Sequence, residues 1–223
     1  MLLEAQGLTK IYPRPHGDLV VLQECDFTLA EGEAVAVIGP SGAGKSTLLN
    51  LLGGLDSPST GRVLHRGREL DLNNDSTLAA WRNRVIGFVF QFHFLLPDFT
   101  AQENLLIPVR MASQQNRFSE QRAAELLDVM GLTDRASHLP GELSGGEQQR
   151  VAVARAFMNR PEIILADEPF GNLDREKGEH LSRMLFELKQ RGETSLVVVT
   201  HDLDLASRAD RVLKLEGGRL AAA

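Results

Sequence analysis

Apolar positions along this chain follow two rhythms. Three short unbroken runs, at residues 34–38, 163–166 and 196–199, each end on a residue of different character: Gly39, Asp167, and Thr200 with His201. Near-continuous Val, Ile and Leu predict strands covered on both faces, as in a parallel sheet. The rhythm then changes. Leu48, Leu51, Leu52 and Leu55 fall at i, i+3, i+4 and i+7, and so do Leu181, Met184, Leu185 and Leu188. Each set predicts one face of an amphipathic helix. Strand, polar loop and helix together form the repeating unit of an α/β fold. Ligands in such folds gather at the carboxyl ends of the strands, where Gly39, Asp167 and His201 stand.

The start and the middle of the chain read differently. Cys25, Phe27 and Leu29 alternate with Asp26, Thr28 and Ala30, a half-buried antiparallel pattern. Residues 61–65 and 85–90 add expected strands, and RVLKLEGGRLAAA reads as a hairpin across Gly217 and Gly218. Thr100 and Glu103 have capping-box spacing ahead of NLLIPVRM. Ala123, Leu126, Leu127 and Met130 line one helix face, with Gly131 where a C-terminal cap would fall. The expectation is a single α/β domain over 1–223 with a mostly parallel sheet core. Residues 1–91 and 161–223 would form the core with an N-terminal antiparallel β part, and residues 92–160 an inserted helical part. No internal repeat is visible.

Composition narrows the class without naming it. The chain has 223 residues, 43% hydrophobic and 24% charged, with a formal net charge of −6. This is an ordinary globular composition with no block of Lys and Arg to mark nucleic-acid binding. One cysteine, Cys25, excludes an internal disulfide and fits a reducing compartment as a small core residue. No apolar run approaches the roughly 20 residues of a membrane span, and the start lacks a signal-peptide pattern.

The chemistry begins at GPSGAGKST: Gly39, Pro40, Ser41, Gly42, Ala43, Gly44, Lys45, Ser46 and Thr47. Glycines let the backbone wrap a phosphate with its N–H groups turned inward, Lys45 would reach the β- and γ-phosphates, and the Ser46 hydroxyl would bind Mg²⁺. An apolar strand precedes the loop and an amphipathic helix follows, so a nucleoside triphosphate is the expected ligand. A second strand delivers Asp167 as a further hold on Mg²⁺. Glu168 follows, a carboxylate able to polarise an attacking water. Side-by-side carboxylates point to hydrolysis rather than storage.

A second stretch, LSGGEQQRVAVARAF, raises a question. Ser144 and Glu147 have capping-box spacing. A cap does not explain Gly145 and Gly146, which cost backbone entropy. A helix N-terminus stripped of side chains is a place for an anion, yet the chain already has one phosphate cradle. Residues 143–150 resemble the signature motif of ATP-binding cassette ATPases, and the resemblance extends over essentially the whole chain in the family's order. It implies that Tyr12 stacks on adenine, that Gln91 is the glutamine reaching the metal, that Asn172, Leu173 and Asp174 are the D-loop with Asp174 at the nucleotide, and that His201 is the switch histidine. The implied catalytic set is Glu168, His201, Gln91 and Lys45, with Ser46, Gln91 and Asp167 on Mg²⁺ and ATP as substrate. The resemblance also accounts for the second cradle. Two cassettes pair head to tail, and Ser144, Gly145 and Gly146 of one close over the γ-phosphate held by the other.

QFHFLLPDFTAQEN, LGGLD at 52–56 and GNLD at 171–174 are similar to the branch of the family that serves lipoprotein release, macrolide export and cell division in bacteria. This implies a peripheral subunit on the cytoplasmic face of the inner membrane, docked on integral permease subunits and powering lipoprotein release. The alternatives are an export ATPase or a regulator that gates a membrane partner without moving cargo. Chromosome-repair cassettes insert long coiled coils between these motifs, and no sustained heptads occur here. A P-loop kinase would lack the signature motif. Phe92, Phe94, Leu95, Leu96 and Phe99 read mainly as core of the helical part; any left exposed would suit a partner.

Overall fold

A computed structural model describes residues 1–15, 17–72, 74–112 and 117–223. In chain order the elements are β1 (Leu3–Tyr12), β2 (Leu19–Leu29), β3 (Ala34–Ile38), α1 (Lys45–Leu52), β4 (Thr60–His65), β5 (Arg68–Glu69), α2 (Asp75–Val85) and β6 (Ile86–Phe90). There follow α3 (Ala101–Met111), α4 (Arg117–Val129), α5 (Gly145–Ala156), β7 (Ile163–Asp167), α6 (Arg175–Arg191), β8 (Ser195–Thr200), α7 (Leu203–Ala206), β9 (Arg211–Glu216) and β10 (Arg219–Ala222). The residues divide into two compact units, one of Met1–Arg82, Leu165–Asp167 and Ser195–Ala223, the other of Asn83–Ile164 and Glu168–Thr194.

The first unit holds an antiparallel sheet in the order β2-β1-β4-β5. The alternation in β2 works as expected: Cys25, Phe27 and Leu29 are buried while Asp26 faces out. Its second sheet runs β10-β9-β3-β8. β3 pairs in parallel with β8 on one side and β9 on the other, and β9 and β10 form the antiparallel hairpin. β3 and β8 are buried along nearly their whole length, which is why they read as unbroken apolar runs. α1 buries Leu48, Leu49, Leu51 and Leu52. Leu55 does not extend that face: Gly53 and Gly54 end the helix first, and Leu55 is left exposed. The spacing persists past the point where the backbone can follow it.

α2 has no counterpart among the expected elements. Its buried Leu78, Trp81 and Val85 lie at i, i+3 and i+7, but charged and small residues between them dilute the pattern. Val85 closes this helix, so the following strand starts one residue later than its apolar run suggests.

The second unit is mainly helical. Thr100 caps α3 through the full capping box: its hydroxyl accepts from the Glu103 amide, and the Glu103 carboxylate accepts from the Thr100 amide. Buried Asn104 donates to the carbonyls of Leu96, Phe99 and Thr100 and accepts from the Leu96 amide, tying the loop ahead of α3 to its first turn. α5 buries Val151, Ala152, Val153 and Ala154. In α6 the apolar face holds, with Leu181, Leu185 and Leu188 buried.

Candidate active site

In the first unit the loop 39–44 joins the end of β3 to the start of α1. Gly39 has no room for a side chain, because a Cβ there would lie 2.3 Å from the Leu215 carbonyl oxygen of β9. Gly44 holds φ at +99°, and a Cβ on it would meet Val21 at 2.9 Å. It caps α1 with no side-chain hydrogen bond, leaving the first amides of that helix to whatever lies in the loop. Lys45 is buried, its ammonium donating to the Gly39 carbonyl at 3.0 Å and the Pro40 carbonyl at 3.1 Å. The Ser46 hydroxyl donates to Asp167 Oδ1 at 3.0 Å. Two of the three residues expected to hold a cation, Ser46 and Asp167, 121 positions apart, therefore meet.

His201 directly follows β8 and is exposed. Because Ile38 and Thr200 are register partners on adjacent strands, Gly39 and His201 leave the sheet side by side. Tyr12 ends β1, and its phenol donates to Asp56 Oδ2 at 2.8 Å. Burial and the Asp56 carboxylate together push the Tyr12 phenol up. Burial alone would raise the Asp56 carboxyl too, but bonds from Lys10, Tyr12 and the Ser57 amide outweigh it and hold the group below the ordinary carboxylate range.

In the second unit Glu168 stands just past the end of β7 with φ at +42°, a conformation that is unfavourable for a residue with a Cβ. Its carbonyl accepts from the Gly171 amide at 3.1 Å, closing a turn. Gln91 meets Asn172 twice: its amide donates to Asn172 Oδ1 at 3.0 Å, and Asn172 Nδ2 donates to the Gln91 carbonyl at 3.1 Å. Asp174 caps α6, accepting from the Lys177 amide at 3.0 Å and the Lys177 ammonium at 2.6 Å, and these bonds lower its carboxyl pKa.

Ser144 caps α5 in a complete capping box with Glu147, whose pKa is lowered chiefly by the Ser144 backbone amide and hydroxyl. Beyond this cap the helix start is bare. A Cβ on Gly145 would touch nothing within 4 Å, and one on Gly146 would make only ordinary contacts, at 3.7 Å to Lys177 and 3.9 Å to Leu173.

Sequence reasoning missed two side chains of α5 that organise this unit. Buried Gln149 donates to the carbonyls of Phe90 at 3.1 Å and Pro169 at 2.5 Å and also meets His93. Arg155, whose burial lowers its pKa, donates to the carbonyls of His93 and Phe94. Both are polar residues on otherwise apolar stripes, the one sign in the sequence that could have exposed them. The loop they hold also corrects an expectation: Phe92, Phe94 and Leu96 are not core, being 65%, 64% and 44% exposed. Among the described residues no helix is long and apolar enough to cross a membrane.

Residues 22–171 match the family described as ABC transporter. The chain is 49% identical over 219 residues to the lipoprotein-releasing system ATP-binding protein LolD of Idiomarina loihiensis, covering 98% of this chain and 96% of that protein. It is 48% identical to the LolD of Bacteroides fragilis, covering 98% and 100%. Among solved structures, the dimeric post-hydrolysis state of the ATP-binding cassette MJ0796 bound to ADP and Pi superposes with a TM-score of 0.90 at 37% identity, covering 99% of this chain and 98% of that one.

Proposed function

The chain belongs to the ABC transporter family, and from that premise we propose that it is the ATPase subunit of a bacterial lipoprotein-releasing complex. It is an ABC ATPase, hydrolysing ATP in a reaction coupled to transport. The assignment to lipoproteins rests on near-full-length identity with proteins named LolD. The partners are integral permease subunits of the LolC and LolE kind, and the chain sits peripherally on the cytoplasmic face of the inner membrane. Lipid-anchored cargo is held by about 0.8 kcal/mol per buried CH₂, so its extraction calls for an energy source.

The observation that carries the catalytic reading is the Ser46–Asp167 contact beside a loop in which a Cβ on Gly39 or Gly44 would collide with the neighbouring strands. Its hydroxyl and carboxylate oxygens fit Mg²⁺, which takes oxygen ligands and shares them with substrate phosphates and water. Bound there, the ion would neutralise charge developing on the phosphates. Lys45 leaves the Gly39 and Pro40 carbonyls to meet the β- and γ-phosphates. Glu168 orients and polarises the attacking water, and His201 contacts the terminal phosphate. Gln91, held by Asn172 here, would join Ser46 and Asp167 in holding the metal. Tyr12 supplies the platform for adenine.

The second cradle belongs to the partner's nucleotide. Among the described residues no packing asks for glycine at 145 or 146, which supports a surface kept bare for the γ-phosphate bound by a second, head-to-tail copy, with Asp174 and its loop at the same border. The helical part, residues 92–160, is the docking face for the permease, and exposed Phe92, Phe94 and Leu96 suit an apolar partner. Purifying the chain with its native membrane subunits and placing the complex in lipoprotein-loaded proteoliposomes tests the assignment. ATP-dependent lipoprotein release is the expected result. ATP hydrolysis without release, alongside different membrane subunits, would overturn the cargo assignment and leave the ATPase intact.

A further inference from the structure

Lys10 and Asp56 take no part in the chemistry above, yet they enclose Tyr12. Residues i and i+2 of a strand share a face, and on β1 this brings the Lys10 ammonium 4.8 Å from the centroid of the Tyr12 ring. The same ammonium donates to Asp56 Oδ1 at 2.7 Å and to the Ser57 carbonyl at 2.6 Å. The other carboxylate oxygen accepts the Tyr12 phenol at 2.8 Å. One carboxylate therefore anchors both the cation on the ring's face and the hydroxyl at its tip. Lys10 is buried while Tyr12 is about one-third exposed, so the ammonium occupies the inner face and leaves the outer face open.

The anchor also leads back to the phosphate loop. The amides of Leu55 and Asp56 both donate to the Asn50 carbonyl of α1, the helix that starts at Lys45. Ring and phosphate loop are thus referenced to the same helix.

We propose that Lys10 and Asp56 are positioning residues that fix the Tyr12 ring, with its inner face sealed and its outer face presented to a purine, at a set distance from the triphosphate cradle. This deepens the proposed function and rests on the reading of Tyr12 as the base platform. Cation–π contact and the charged hydrogen bond remove the ring's rotational freedom before the nucleotide arrives, so less ordering is left to oppose binding.

The test uses the full-length chain. In Lys10→Met and Asp56→Asn the KM for ATP should rise about three- to tenfold, the size of an aromatic-contact effect, with kcat held within about twofold. Calorimetric affinity for ADP should fall in step, while affinity for inorganic tripolyphosphate, which has no base, should not change. In a Tyr12→Ala background the same substitutions should add nothing. Equal weakening of ADP and tripolyphosphate would mean that the pair merely fastens β1 to the loop after α1, and would overturn the proposal. So would a normal ADP affinity in Lys10→Met where Tyr12→Ala weakens it, a result that leaves the platform reading standing. If Tyr12→Ala itself binds ADP normally, the platform reading fails and takes the proposal with it. Should Lys10→Met not fold, Tyr12→Phe probes the same anchor through the phenol: a raised KM supports it, and an unchanged one removes it.

Discussion

At the scale of single residues, Asp56 carries a signature that stability measurements can read. Its folded-state pKa lies below the ordinary value, so its contribution is complete above the unfolded carboxylate pKa of about 3.9 and is lost as pH falls through the lower, folded value. Asp56→Asn lacks that contribution at every pH and leaves Lys10 without its carboxylate. The expected outcome is a stability gap between wild type and variant that is constant near neutrality and narrows from about pH 4 downward, measured by urea unfolding. A gap that keeps its full size to about pH 3 would show that the carboxylate is not held by Lys10 and Tyr12 as described. The bond is not legible in the sequence. Lys10 and Asp56 lie 46 positions apart, and nothing local distinguishes a strand lysine that folds inward from one that faces solvent.

At the scale of elements, the start of α5 separates fold from function. Alanine is a better helix former than glycine by about 1 kcal/mol in a helix interior, and less at the first turn. A Cβ at 145 or 146 meets no obstacle among the described residues. Gly146→Ala should therefore leave the thermal midpoint unchanged or slightly raised while ATP hydrolysis falls by more than tenfold, because the added methyl would crowd the partner's γ-phosphate. Differential scanning calorimetry and a phosphate-release assay on one preparation decide it; full activity would place the partner's nucleotide elsewhere. The elements themselves are readable where one physical cause dominates. β3, β7 and β8 show as unbroken apolar runs because both of their faces are covered. The caps at Thr100 and Ser144 show because a capping box is local chemistry. α2 stays hidden because Leu78, Trp81 and Val85 are spread thinly among charged neighbours. The aromatic cluster after Gln91 reads as core, yet much of it is exposed, because apolar composition alone does not tell a core from a docking face.

At the scale of the whole molecule, the residues proposed for the nucleotide fall into two sets. The first unit carries the phosphate loop, Asp167 and His201; the second carries Glu168, Gln91 and the bare helix start of α5. The sequence displays both cradles, and under the proposed head-to-tail pairing the second serves the nucleotide of another copy. Glu168→Gln should retain ATP binding, lose turnover by at least about a hundredfold, and sediment as a dimer with MgATP. Adding Ser144→Arg to that variant should return it to a monomer that still binds ATP at its own loop. Persistence of the dimer in the double variant would remove Ser144 from the contact.

β3 lies between β8 and β9, and Gly39 packs against the Leu215 carbonyl. Those neighbours are encoded far downstream, so the glycine-rich loop stays without its flanking strands until the ribosome has passed β9. Long-range parallel pairing of this kind is slow to form. A nascent chain thus completes its cradle late, and premature termination ahead of β9 would yield a product that displays the motif but lacks the wall that shapes it.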